Sequence, residues 1–199
     1  MAAPDPVQPG GRGASRLGHQ AVASGVARVE TTPESEPVDP ETFKRAMASF
    51  ATGVAVVTAL EDHTPVGFTC QSVVSLSLEP PFVALAAAKS STSWPRISRA
   101  GHLCVNVLAD DQAAVGRRFA VSGGDKFAGV AWRAASTGAP VLEGVLAWVD
   151  CHLELVHDAG DHEIVIGRVV EVGLGDPKAG PLLYFRSGYR RLDPASDGP

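Results

Sequence analysis

Few large apolar residues fall within residues 1–37, where Gly, Pro, Ala and Ser are interrupted by scattered charge. Ordering such a stretch costs backbone entropy with little burial to offset it, so the segment is expected to be a disordered tail. Patterning begins at Asp39-Pro40-Glu41, which supply an N-cap, a first-turn proline and an early acid. Phe43, Met47 and Phe50 follow at helical spacing and predict a helix that runs to about Ala51 and stops at Gly53. The period then changes. Val54-Ala55-Val56-Val57-Thr58 is rich in β-branched residues, and the polar run Glu61-Asp62-His63-Thr64-Pro65 leads into Val66-Gly67-Phe68-Thr69, which together predict a hairpin.

Pro80-Pro81 introduces an apolar strand at 82–88, and a short helix at 94–99 closes on Gly101 before a strand at 102–108. Asp110 and Asp111 precede a further helix carrying Arg117, Arg118 and Phe119, and segments 145–156, 163–172 and 182–185 again read as strands. Most of these are joined by loops of hairpin length rather than by the helical crossovers that parallel strands require. The expected fold class is therefore mainly β, an antiparallel sheet closed as a barrel with a few short flanking α-helices. Residues 38–193 are assigned to this domain and 194–199 to a flexible C-terminus.

With 199 residues, 45% of them hydrophobic, the chain can supply one sizeable core. No apolar segment approaches the roughly 20 residues that cross a bilayer, and residues 1–18 lack the apolar stretch of a signal peptide, so a cytoplasmic protein without a membrane span is expected. The net charge is −5 and Lys and Arg nowhere cluster densely, which argues against a nucleic-acid partner. Cys70, Cys104 and Cys151 stand far apart with no CxxC pair and read as reduced, buried thiols.

Three polar segments carry candidate chemistry. Between Gly67 and Ser75 the chain passes from strand into small polar residues, offering hydroxyls, an amide and backbone N–H groups to the edge of a heteroaromatic ring; a polar strand edge and turn would have the same composition. Lys89-Ser90-Ser91-Thr92-Ser93 precedes the helix at Trp94, either as a phosphate site or simply as a cap. Gly160-Asp161-His162-Glu163 lies between two strands, where an imidazole at the rim contacts a nicotinamide or a pyrophosphate, or is a surface histidine in a hairpin turn. Metal binding is not expected, since His152, His157 and His162 recur every five residues and alternate faces along a strand. The glycines Gly10, Gly11 and Gly13 have no preceding strand and do not make a dinucleotide fingerprint, and no GxSxG elbow exposes a nucleophile.

In order along the chain, Thr52-Gly53-Val54-Ala55-Val56-Val57-Thr58, Gly67-Phe68-Thr69-Cys70-Gln71-Ser72, Ser75-Leu76-Ser77-Leu78-Glu79-Pro80-Pro81 and Cys104-Val105-Asn106-Val107-Leu108 resemble segments of the flavin reductases with the Greek-key, FMN-binding split-barrel fold. Arg118-Phe119-Ala120, Asp125-Lys126-Phe127-Ala128-Gly129, Gly160-Asp161-His162 with Gly167, and Pro181-Leu182-Leu183-Tyr184 with Tyr189 complete the series. The resemblance implies an NADH-dependent enzyme, with NADPH as an alternative donor, that reduces FAD or FMN and supplies it by diffusion to a flavin-dependent monooxygenase. It also implies a homodimer. By the same resemblance Pro65, Val66, Gly67, Phe68, Thr69, Gln71 and Ser72 line the isoalloxazine and ribityl chain, Ala86, Ala87 and Ala88 pass close to it, and Thr92, Ser93, Arg118 and Phe119 meet the phosphates and remaining edge. Gly160, Asp161, His162 and Glu163 fall where nicotinamide binds, with His162 as the catalytic candidate. Many members carry Asn where this chain has Gln71. An oxidoreductase with permanently held flavin and a dedicated substrate, or a non-catalytic flavin-binding module, are the alternatives on the same fold.

Overall fold

The computed structural model describes residues 37–192, so the expectations for the N-terminal tail and for residues 194–199 lie outside the described residues. Helix α1, Pro40–Met47, opens on Asp39, whose carboxylate accepts from the Thr42 backbone N–H at 2.9 Å and its hydroxyl at 2.8 Å. The helix stops a turn earlier than its apolar spacing suggests because Phe43, Met47 and Phe50 are all exposed and no packing extends it.

Fourteen further elements follow: β1 (Thr52–Gly53), β2 (Ala55–Glu61), β3 (Thr64–Cys70), β4 (Val74–Leu78), β5 (Pro81–Ala88), α2 (Trp94–Ala100), β6 (His102–Val107), α3 (Ala113–Ala120), β7 (Trp132–Ala134), β8 (Pro140–Leu142), β9 (Ala147–Ala159), β10 (His162–Leu174), β11 (Leu183–Phe185) and β12 (Gly188–Arg190). Seven strands form the main sheet in the order β3-β2-β6-β9-β10-β5-β4, with every pair antiparallel. The architecture is thus mainly β with short helices, as the loop lengths require. The β2–β3 hairpin turns through Asp62 and His63, both at positive φ (46° and 63°), a turn whose twist matches that of the strands it joins.

Strand β2 explains why residues 54–59 are apolar except for Thr58. Val57 and Ala59 face one core, shared with Phe68, Leu85, Trp94, Ile97 and Leu103, while Val56 faces a second, shared with Phe119, Phe127, Leu142, Trp148 and Leu182. Burial on both faces removes the usual polar alternation. Into the second core reaches a buried polar clamp: Asn106 Nδ2 donates to Pro140 O at 3.2 Å, its Oδ1 accepts from Leu142 N at 2.8 Å, and Thr58 Oγ1 donates to Pro140 O at 2.5 Å. These bonds fix β8 against the sheet. All three cysteines are free and buried.

No ladder pairs β3 with β4 across the ends of the main sheet. The gap on the β3 side is bridged by two side chains, Cys70, whose Sγ donates to Ala86 O at 3.8 Å, and Ser72. Ser72, just past β3, accepts from Ala86 N at 2.9 Å and donates to Ala86 O at 3.2 Å, engaging β5 where β4 has stopped pairing with it.

Candidate functional site

Beside this serine lies a cleft of about 430 Å³. Its floor comes from β5, where Ala86 and Ala88 reach the cleft while Ala87, between them, points into the core and is fully buried. One wall is the end of β3 and its exit, Phe68, Thr69, Gln71 and Ser72; the other is Phe119 and Ala120 at the end of α3. Small side chains on the floor leave a slot with a flat base and hydroxyl-bearing margins, suited to a planar polar ring. Gly67 makes the slot possible: a Cβ there would stand 2.9 Å from both Phe119 Cε1 and the Val57 carbonyl oxygen. The Thr69 hydroxyl is already committed, donating to Gly116 O at 2.6 Å and tying β3 to α3.

His162 closes one end of the cleft, because β10 register sets it opposite Ala88. Its Nδ1 pairs with Asp161 Oδ1 at 2.7 Å, which leaves Nε2 as the ring's other polar atom. That bond, together with the imidazole's charge, holds the Asp161 carboxyl below the usual carboxylate range. Lys89 pins the turn from below, its Nζ donating to Gly160 O at 2.6 Å and pairing with the Asp158 carboxylate. Strand alternation sends Glu163 the other way. Its carboxylate accepts from the Trp94 indole N–H and does not line the cleft.

Lys126, which the residue types alone did not single out, also lines the cleft. Its Nζ donates to Gly67 O at 3.1 Å, Phe119 O at 3.2 Å and Ser93 Oγ at 3.3 Å. Among the described residues no carboxylate pairs with it, and partial burial pulls its pKa below the ordinary lysine value. The half-buried ammonium thus directs its three N–H donors at neutral oxygens and carries its charge without a carboxylate partner among the described residues. The only sequence signal was its place in Asp125-Lys126-Phe127 after two glycines.

Of the sequence candidates, Phe68, Thr69, Gln71, Ser72, Ala86, Ala88, Thr92, Phe119 and His162 gather around this cleft. Pro65, Val66, Gly67 and Ser93 line a neighbouring one. Arg118 lines neither, because α3 turns its guanidinium outward to donate to Ala128 O. Gly160 and Asp161 belong to the turn that carries His162. Ahead of α2, Ser91 Oγ accepts from Ser93 N at 3.3 Å and Trp94 N at 3.2 Å, so a side-chain cap engages those backbone donors.

The site is thus a slot in an antiparallel β fold, floored by small side chains and lined by hydroxyls, with a lysine that has no carboxylate partner among the described residues. The flavin reductase-like domain profile matches residues 47–193, and the chain belongs to that family. The reductase subunit HsaB of a flavin-dependent monooxygenase from Mycobacterium tuberculosis is 43% identical, the match covering 83% of this chain and 89% of that protein. Nitrilotriacetate monooxygenase component B from Mycobacterium thermoresistibile superposes with a TM-score of 0.77 at 41% identity, covering 80% of this chain and 89% of that one. The NADH:FAD oxidoreductase SgcE6 of Streptomyces globisporus, in complex with NAD and FAD fragments, superposes with a TM-score of 0.74 at 32% identity, covering 82% and 100%.

Proposed function

We propose that this chain is an NADH-dependent flavin reductase, the reductase component of a two-component system, which supplies reduced FAD or FMN to a separate monooxygenase. The observation that carries the reading is the cleft between β3, β5 and α3, lined by both Lys126 and His162. A flavin held there would supply N5 as the acceptor for hydride from C4 of a nicotinamide. The protein's own task is to hold two rings face to face with the reacting atoms roughly 3–3.5 Å apart and to exclude water. In this reading Ala86 and Ala88 support the flavin ring, Gln71 and the Ser72 hydroxyl margin meet its polar edge, and Lys126 with Thr92 takes the phosphate. His162, oriented by Asp161, steadies the nicotinamide through Nε2. No side chain has to gain or lose a proton, since hydride carries both electrons.

The chain is further proposed to form a split barrel in which the Ser72 bridge to Ala86 completes the closure that main-chain pairing leaves open. We also infer a homodimer, supported by exposed apolar residues on β4 and β10: Leu76, Leu78, Val172 and Leu174 are 51%, 88%, 63% and 90% exposed. Among the described residues no helix is long and apolar enough to cross a membrane, and a cytoplasmic location is proposed.

The decisive experiment is anaerobic NADH oxidation with excess FAD or FMN, using protein stripped of flavin. Bleaching of many equivalents of flavin is the expected result. Tight binding without turnover would instead leave a flavin-binding module, and reduction of only one retained equivalent would point to a dedicated substrate.

A further inference from the structure

His162 stands at the tip of the β9–β10 hairpin, beside its turn. Register sets Ala159 opposite His162, so Gly160 and Asp161 form a two-residue turn, with Gly160 at φ 70° where such a turn favours glycine. Asp158, Gly160 and Asp161 are all exposed, and nothing lies within 4 Å of where a Cβ on Gly160 would stand. Little packing holds a tip so open. Its anchor is Lys89, the residue that follows β5. The Lys89 backbone N–H donates to Asp161 O at 3.0 Å, which continues the β5–β10 ladder by one bond. Its Nζ donates to Gly160 O at 2.6 Å and pairs with the Asp158 carboxylate. Among the described residues no other side chain from outside the hairpin bonds to residues 158–161.

Lys89 does not line the cleft, although its neighbours Ala88 and Ser90 do. Its ammonium offsets the two carboxylates of the tip, and one of these, Asp161, is the group that orients the imidazole through Nδ1. Lys89 thus acts on the main chain of the turn and on the charge around the carboxylate that aims the ring. Resting on the flavin-reductase reading, we propose that Lys89 is a positioning residue for the hydride donor: it touches neither ring, but it fixes the turn so that His162 Nε2 is already aimed when the nicotinamide arrives. Without that anchor the tip has several orientations, and ordering it falls on NADH binding. Flavin is spared, because the cleft floor at Ala86 is held separately, by Ile164 of β10 and by Ser72.

The test is NADH kinetics at saturating flavin, with flavin dissociation constants on the same samples of the whole chain. Lys89→Met is expected to raise KM for NADH about 3- to 10-fold, with kcat and flavin affinity within about twofold of wild type. Lys89→Arg, which keeps the charge and the donors, should return KM to within about twofold of wild type. In a His162→Ala background Lys89→Met should add less than about a further twofold, because an anchor that works through His162 has nothing left to position. Lys89→Gln removes the charge but keeps a donor, and carries the same cycle if the methionine variant fails to fold; its smaller rise in KM should also vanish without His162. Substitutions at 89 and 162 that multiply each other's effect on KM would overturn the proposal. So would flavin affinity that falls in step with NADH, or a Lys89→Arg variant no better than Lys89→Met. A wild type that oxidises no NADH in the presence of flavin would overturn the flavin-reductase reading and this proposal with it, whereas independent effects in an active enzyme overturn this proposal alone.

Discussion

Gly67 lies directly beneath the ring of Phe119, closer than any side chain would permit. Alanine at 67 would have to push both that ring and the Val57 carbonyl oxygen, the latter being backbone in a central strand. Gly67→Ala should therefore cost about 1–3 kcal/mol of stability, lower the thermal midpoint, and weaken flavin binding by displacing the Phe119 wall. An unaltered melting curve would show that the contact is looser than the geometry states.

His162→Ala is expected to raise KM for NADH by about 5- to 30-fold, the equivalent of one or two kcal/mol, with a much smaller change in flavin affinity. Steady-state kinetics at saturating flavin separate the two. Unchanged NADH kinetics would remove His162 from the assignment.

Replacing Lys126 by Met should weaken FMN binding roughly 10- to 100-fold, the range for a lost charge-assisted hydrogen bond, while riboflavin, which has no phosphate, is barely affected. The pH dependence follows from burial. Because the folded-state pKa of Lys126 is lowered, the ammonium loses its proton before an exposed lysine would, so FMN affinity falls as pH rises through the alkaline range below 10.5. Folded-state stability moves the other way there, as the cost of the buried charge disappears. Riboflavin titrated in parallel corrects for ionisation of the flavin ring.

Burial pushes the Cys151 thiol up to about 12 from an ordinary 9.0, and the neighbouring Asp150 carboxylate adds to the effect; Cys104 is raised for the same reasons. Neither should alkylate at about pH 8 in the folded protein, and both should on unfolding, because only the thiolate reacts. A folded pKa above the unfolded one also means stability that is present below pH 9.0 and lost as pH rises toward about 12. Stoichiometric labelling of the native protein by iodoacetamide would contradict this.

Strands β2, β3, β5 and β6 and the long pair β9–β10 were legible because β-branched runs and hairpin-length loops mark them in one dimension. Strand β4 was not: Val74-Ser75-Leu76-Ser77-Leu78 alternates correctly, but its serines made it read as a polar loop, and its apolar side chains remain exposed on an edge strand. Short β7 and β8 are ordered by a distant clamp, Asn106 on Pro140 and Leu142, which no local pattern announces. The lining of the cleft was legible where it is continuous in sequence, from Phe68 to Ser72, and at His162. Lys126 escaped because its significance is its isolation from carboxylates, a property of the folded surface. Glu163 and Arg118 read as contacts from their motifs, yet one residue of strand alternation and one turn of helix aim them elsewhere.

The Ser72 bridge has a kinetic side. Where β3 meets β5 the wall of the cleft is fastened by the Ser72 hydroxyl, whose two hydrogen bonds are each worth about 0.5–1.5 kcal/mol net, and by the Cys70 thiol, which also donates to Ala86 O. No ladder spans that seam, which is otherwise held by the core that Phe68 and Cys70 share with Leu85 and Ala87, whereas parting any ladder of the main sheet would break main-chain pairing as well. The seam is thus where the wall of the cleft is expected to yield first, like the clasp on a rigid case.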